Sequence, residues 1–355
     1  MKSINIDFFS YLELEKIGIG AFSPLDGFMS EEDFYSVVEN LRLKNGKLFP
    51  LPVLLPVTEN EFENIDLDNE YKLIFKNIEV GIINIKSKFK INFQKHIKSL
   101  FGTDDINHPG YKMIFSLGDY FVGGKIKFQK RVINNLSKYE LTPEEVKKEI
   151  KIRNMTSVAG FQTRNVPHKA HEHILELALK EMDGLFVQPL IGRKRVGDFT
   201  PEAVMTSYKL LQNKFFPLNR MILGALTTSM RYAGPREAVF HALIRKNYGC
   251  SHFLVGRDHA GVGSYYGEYE AQDLCIKYEQ ELGIKIIKVR GPFYCDECKK
   301  INIDTFCKNP NKRIPVSGTK IRDALIKGKK IDKRFMRPEI VKSLSNVDIF
   351  IKEDK

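Results

Sequence analysis

Over the first 150 positions apolar residues come in short runs, LPVLLPV, YKLIF, EVGIINI and YFVGGKIKF, broken by Gly, Pro and Asn. Runs of that length with turn signals between them predict strands, and so a β-rich domain over residues 1–150. The stretch LTPEEVKKEIKIRN predicts a charged helix bridging two domains, with Thr142 as its cap and Pro143 in its first turn. From about residue 151 the rhythm changes. The runs TSVAGF, GLFVQPLIG, MILGALTTS, HFLVGRD and IKIIKV alternate with the helical patterns HEHILELALKEM, EAVFHALIRKNYG and YGEYEAQDLCIKYEQELG. Strands separated by amphipathic helices predict an α/β domain over 151–311, a parallel sheet with helices on both faces. Residues 312–355, with TKIRDALIKGKK and RPEIVKSLSN, read as a small helical tail region.

In such sheets ligands gather beyond the carboxyl ends of the strands, and there the polar clusters fall. Gly160–His173, GFQTRNVPHKAHEH, is a strand end, a polar turn and a helix opening at Pro167. His168 and His171 are three apart and share a face of the first turns, whereas His173 falls on another face and reads as a bystander. A helix start with unpaired N–H groups is a ready phosphate site, and Gln162, Arg164 and Asn165 can point at the same place. The second cluster, LVGRDHAGVGSYYG, puts Arg257, Asp258 and His259 after a strand, followed by small residues that allow close backbone approach. In PVSGTKIRDAL, Ser317 or Thr319 can cap a helix carrying Lys320 and Arg322, which reads equally as a phosphate site or a plain cap. In MRYAGPREAVFHAL, Arg231 and Arg236 either face anions or tie domains together.

Composition narrows the classes. The chain has 355 residues, 43% hydrophobic and 28% charged, as expected of a folded globular protein. No run approaches the length of a membrane span, the first residues carry acids early with no long apolar core, and five cysteines do not make a disulfide framework. A reducing, cytoplasmic setting is expected. The net charge of +12 comes from lysines scattered along the whole chain. A biased codon pool produces that background without any partner; an anionic ligand or a nucleic acid would also suit it.

Gln162-Thr163-Arg164-Asn165 with His168-x-x-His171, Gly256-Arg257-Asp258-His259-Ala260-Gly261, the loop IGAFSPLDGFM and the stretch MRYAGPREA together resemble the ATP sulfurylases. The resemblance runs along essentially the whole chain. It implies an N-terminal PUA-like β-barrel domain, a central Rossmann-like nucleotidyltransferase domain, a small C-terminal α/β region and a homodimer. The implied reaction is ATP + sulfate ⇌ adenosine 5′-phosphosulfate + pyrophosphate. By position, Gln162, Arg164 and the Ala260 backbone would hold sulfate. Gln162–Asn165 and Gly256–His259 would line the ATP site, with Thr163, Arg164 and Asn165 as the catalytic segment and His168 and His171 on the phosphates. A backbone contact to adenine is expected near Val289, and Mg²⁺ enters with ATP. No G-x-x-x-x-G-K-[ST] loop occurs, so a stand-alone enzyme without a kinase is expected.

Cys295-x2-Cys298-x8-Cys307 has spacing compatible with structural zinc. Family members that bind zinc there use a histidine shortly after the third cysteine; here CKNPNK follows, and Asn311 stands near that place. Cys250 and Cys275 fall in strand and helix patterns and read as core. Two rival functions are adenylyl transfer to an organic phosphate, which leaves the QTRN and RDHAG runs unexplained, and RNA binding, which leaves both anion clusters unexplained.

Overall fold

The computed structural model describes residues 1–194, 196–303 and 312–352. The N-terminal part is a six-stranded sheet of β1 (Ser3–Asn5), β2 (Gly27–Phe28), β3 (Leu55–Pro56), β4 (Glu70–Phe75), β5 (Ile78–Lys90) and β6 (Tyr120–Phe128). Its order is β1-β4-β5-β6-β2 with β3 also on β6, and every pair is antiparallel except β1 with β4. Three of the four apolar runs are therefore strands. LPVLLPV is mostly extended loop, with only two of its residues in β3. The bridging helix forms at Pro143–Ile152. Thr142 accepts from the Glu145 N–H, and Glu145 reaches back to the Thr142 N–H, a reciprocal cap.

The central sheet is all parallel: β7 (Val158–Thr163), β8 (Gly184–Pro189), β9 (Met221–Leu223), β10 (His252–Val255) and β11 (Lys285–Lys288). Its order is β11-β10-β7-β8-β9. The chain builds outward from β7 through β8 to β9, then returns to the other side of β7 for β10 and β11. The order thus reverses between β7 and β10, and a crevice opens at that place in such sheets.

Helices Lys169–Glu181 and Pro201–Phe215 share one core with the C-terminal helix Pro338–Leu344 on one face of the sheet. Helices Gly234–Asn247 and Glu270–Lys277 cover the other face, and their core is continuous with that of the N-terminal sheet. Cys250 and Cys275 are buried here, and burial pushes both thiols up to about 12. A third sheet, order β13-β12-β14, comprises β12 (Phe293–Cys295), β13 (Lys300–Asn302) and β14 (Arg313–Pro315). Directly after it comes the helix Gly318–Ile326. No described helix is long and apolar enough to cross a membrane.

Candidate functional site

The turns after β7 and β10 meet at the crevice and face the start of helix Gly318–Ile326. Together they line an open cavity of about 360 Å³. Gln162, Thr163, Arg164, Asn165, His168 and His171 stand on one wall, and Gly256, Arg257, Asp258, His259 and Ala260 on the other. Val289, Ser317, Gly318, Thr319 and Arg322 complete the lining. Every residue expected around ATP or sulfate is there. His173 is not: it borders a separate depression with Lys169, Glu172 and Tyr294.

Close packing fixes the two strand ends. At Gly160 a Cβ would lie 2.6 Å from Cγ of Arg245, a fully buried arginine whose guanidinium donates to the carbonyls of Gln188 and His241. Only glycine lets β7 pass that side chain. In the second turn Asp258 and Ala260 hold positive φ, 49° and 58°. The Asp258 carboxylate folds back over Gly261, where a Cβ would meet Oδ1 at 1.8 Å. Strain of this kind in a loop held by its surroundings is a mark of functional sites. The Ala260 N–H has no acceptor among the described residues, and Ala260 lines the cavity.

Arg164 is a half-buried cation on the cavity wall. Its guanidinium lies 5.4 Å from the Tyr232 ring, and one terminal nitrogen is buried without a hydrogen-bond partner. A buried donor of that kind costs free energy unless a ligand completes it. Behind it, Thr163 Oγ1 accepts from the Asn165 N–H at 3.2 Å, and Asn165 Oδ1 accepts from Arg322 at 3.2 Å. Arg322 also pairs with Asp198 at 3.3 Å. Arg257 is half-exposed at the rim and 3.5 Å from Glu268. Burial raises the Asp258 carboxyl, while Arg164 and Arg257 oppose the shift.

His168 is the N-cap of helix Lys169–Glu181, which starts two residues after the opening expected at Pro167. Its Nδ1 accepts from the His171 N–H at 3.4 Å. The two imidazoles stack at 3.7 Å between centroids. Burial pulls His168 down to about 4 and holds His171 well below the usual histidine range, His168 adding to the latter. Both are neutral at pH 7. A neutral ring whose Nδ1 accepts carries its proton on Nε2, so His168 donates from Nε2. The Tyr208 hydroxyl sits 3.4 Å from Nδ1 of His171, and where that hydroxyl donates, the His171 proton is on Nε2 as well.

The Val289 N–H already donates to the Val255 carbonyl, and its own carbonyl accepts from Gln272 at 2.9 Å. Adenine would meet only the second lone pair of that carbonyl. Arg231 and Arg236 do not line the cavity. Arg231 pairs with Glu13, and Arg236 donates to the carbonyls of Val37, Val38 and Pro50, so both tie the N-terminal part to the central sheet. IGAFSPLDGFM is part of the same seam, with Asn247 donating to the Ala21 and Ser23 carbonyls. Of the cysteine triplet, Cys295 ends β12, and its Sγ accepts from the Cys298 N–H at 3.3 Å. Cys307 and Asn311 lie outside the described residues, and no group of three metal-ligating side chains occurs among the described ones.

Sequence reasoning passed over Lys194, Asp198, Glu237 and His241, all of them buried around the cavity walls. The first two follow the end of β8, and the rule that ligands gather at strand ends would have pointed there. His241 is embedded in an apolar helix pattern and gives no such signal.

A solved chain of hexameric APS kinase from Thiobacillus denitrificans superposes with a TM-score of 0.77 at 17% identity, a likeness of fold. The match covers 98% of this chain and 63% of that one, so this chain spans less than two thirds of that protein. The sulfate adenylyltransferase of Ignicoccus hospitalis is 40% identical over 99% of this chain and 92% of its own length. That of Persephonella marina is 40% identical over 96% and 88%, and that of Pyrococcus abyssi 38% over 97% and 90%. Residues 1–131 match the PUA-like domain model and residues 137–347 the ATP-sulfurylase model, and the chain belongs to the ATP sulfurylase family.

Proposed function

We propose that this cavity joins sulfate to the adenylyl group of ATP, releasing pyrophosphate, with sulfate attacking the α-phosphorus in line. A sulfate oxygen forms the new bond to phosphorus, the bond to the bridging β-oxygen breaks, and pyrophosphate leaves with the electron pair. Sulfate is already a dianion at neutral pH and needs no general base. The obstacle is repulsion between two anions, so rate must come from placement and fixed positive charge. The observation that carries this reading is the buried, unpartnered nitrogen of Arg164, on a cavity that Ala260, whose N–H has no acceptor among the described residues, also lines. With Gln162, on the same cavity, they would supply donors for a tetrahedral dianion. The Nε2–H groups of His168 and His171 would meet the phosphates as charge grows on the leaving group, and Asn165, held by Arg322, would steady the reacting phosphoryl. Mg²⁺ would come with ATP and screen its phosphates; Asp258 is the one carboxylate along the described lining.

The test is exchange of labelled pyrophosphate into ATP, with and without sulfate or molybdate. Sulfate-dependent exchange is expected, and Arg164→Ala should lower it by about 10³-fold while leaving the fold intact. Exchange that ignores sulfate would point to an organic acceptor, and full activity in the variant would remove the sulfate assignment. The Cys295–Cys298 turn, with an N–H directed at the first sulfur, suits two thiolate ligands of a structural zinc. We propose Cys307 as the third.

A further inference from the structure

The cavity holds a third histidine, whose surroundings are opposite in sense to those of His168 and His171. Glu237 is fully buried on helix Gly234–Asn247 and accepts from the backbone N–H of Arg231 at 2.9 Å and of Ala233 at 3.1 Å. Nε2 of His241 lies 3.5 Å from the same carboxylate. Nδ1 of His241 lies 3.1 Å from Nε2 of His259, and His259 lines the cavity.

We propose that Glu237 and His241 are positioning residues that lock His259 with its proton on Nε2, so that the ring presents ATP with a hydrogen-bond acceptor, Nδ1, that reads the nucleoside and not the phosphates. The polarity follows step by step. An ionised carboxylate only accepts, so Nε2 of His241 must carry that ring's proton. Nδ1 of His241 is then a lone pair, and the close nitrogen of His259 must be the donor. With Nε2 committed inward, Nδ1 is the nitrogen left for a ligand. Burial drives the Glu237 carboxyl upward, but the bonds from His241 and the Arg231 N–H outweigh it and keep it ionised. Burial, with the charges of Arg245 and Arg164, keeps His259 neutral.

The inference rests on the reading of the cavity as an ATP site. The ionised phosphates of ATP accept hydrogen bonds; its donors are the 6-amino group and the two ribose hydroxyls. A lone pair facing a phosphate would repel it, so the acceptor on His259 suits one of those three donors. The histidines thus divide the substrate, two N–H donors toward the phosphates and one acceptor toward the nucleoside.

Two measurements test this on the intact protein. In ¹⁵N-histidine-labelled protein at pH 7.5, the His259 ring, assigned by its loss in His259→Phe, should be neutral and protonated at Nε2. Kinetics with ATP, 2′-deoxy-ATP, 3′-deoxy-ATP and the triphosphate lacking the 6-amino group then identify the donor. The wild type should lose about tenfold in kcat/KM with one of these analogues. His259→Phe should lose a similar factor with ATP and nothing further with that analogue. His241→Leu should erase the selectivity, while His241→Asn, which keeps an acceptor for His259, should retain it; melting curves confirm that each variant folds. A proton on Nδ1, a charged ring, or equal selectivity in wild type and His259→Phe overturns the proposal. No sulfate-dependent exchange by the wild type would instead sink the reading of the cavity, and the nucleoside contact with it, while the tautomer spectrum needs no ATP.

Discussion

Lys194 lies behind the turn that carries Arg164, with its ammonium enclosed and donating to the carbonyls of Arg164 at 3.4 Å and Phe199 at 3.0 Å. Burial brings its pKa down to about 7; Asp198 resists the shift and Arg164 and Arg322 reinforce it. In the unfolded chain the same lysine keeps its proton to about pH 10.5. Between those values the unfolded state binds the extra proton, so stability rises with pH across that window, and below pH 7 the burial penalty is present in full. Lys194→Met removes the effect. The unfolding free energy of the wild type minus that of the variant, from urea titrations at pH 6 to 9, should be level below pH 7. It should then climb by up to about 1.4 kcal/mol per unit above it. A difference that stays flat to pH 9 refutes the buried, titrating lysine. Lys194 was illegible in the sequence for a plain reason: GRKRVGD looks like a solvated basic turn, and only the fold shows that one of its cations is enclosed. Gln162–His171 was legible because a dense polar run directly after a buried strand has few other uses.

Among the elements, the helix Gly234–Asn247 bears most on how the two larger parts are joined. Twelve of its residues are buried, including Glu237, His241 and Arg245, and a helix enclosed on all sides belongs to a core. At its N-terminal end the Arg236 guanidinium donates to the carbonyls of Val37 at 3.0 Å, Val38 at 2.6 Å and Pro50 at 3.3 Å. At the other end Asn247 holds the Ala21 and Ser23 carbonyls. Arg236→Ala deletes three charge-assisted bonds and strands their acceptors, so unfolding free energy should fall by about 3 kcal/mol. The side chain does not line the cavity, so KM for ATP should change less than about twofold once the variant is folded. Unchanged stability in urea would show that the seam does not depend on this arginine. The sequence presented Arg231 and Arg236 as either anion ligands or ties, and it had no means to choose. The acceptors of Arg236 are backbone carbonyls nearly 200 positions away, and a carbonyl has no residue-type signature; Arg231 finds its carboxylate partner, Glu13, equally far along the chain. The strand–helix alternation from 151 onward was legible because periodicity is local, and the reversal between β7 and β10 is topology that no local pattern encodes.

For the molecule as a whole, the part beyond β11 closes the cavity from a third side. The sheet of β12, β13 and β14 leads directly into Ser317–Arg322, and Arg322 reaches back to Asn165 and Asp198. Helix Pro338–Leu344 packs on Pro201–Phe215, and Phe350 meets Phe199 at 5.1 Å, anchoring the far end of the tail. Cys295 and Cys298 are at the opposite end of that small sheet from the cavity residues. A metal bound there would act on the rigidity of the sheet and not on the reacting groups. Held more tightly by the folded chain than by the unfolded one, it would add its free energy of binding to stability. Cys298→Ser should therefore lose zinc by elemental analysis and melt several degrees lower. In that variant kcat/KM for ATP should fall no more than about threefold, because Arg164, His168 and the Ala260 N–H keep their places. A wild type free of zinc, with the same melting temperature as the variant, defeats the metal assignment. A thousandfold loss of turnover with unchanged melting would move the cysteines from the scaffold into the chemistry, against their place at the far end of the small sheet, where Cys295 pairs with Arg313 and Lys300.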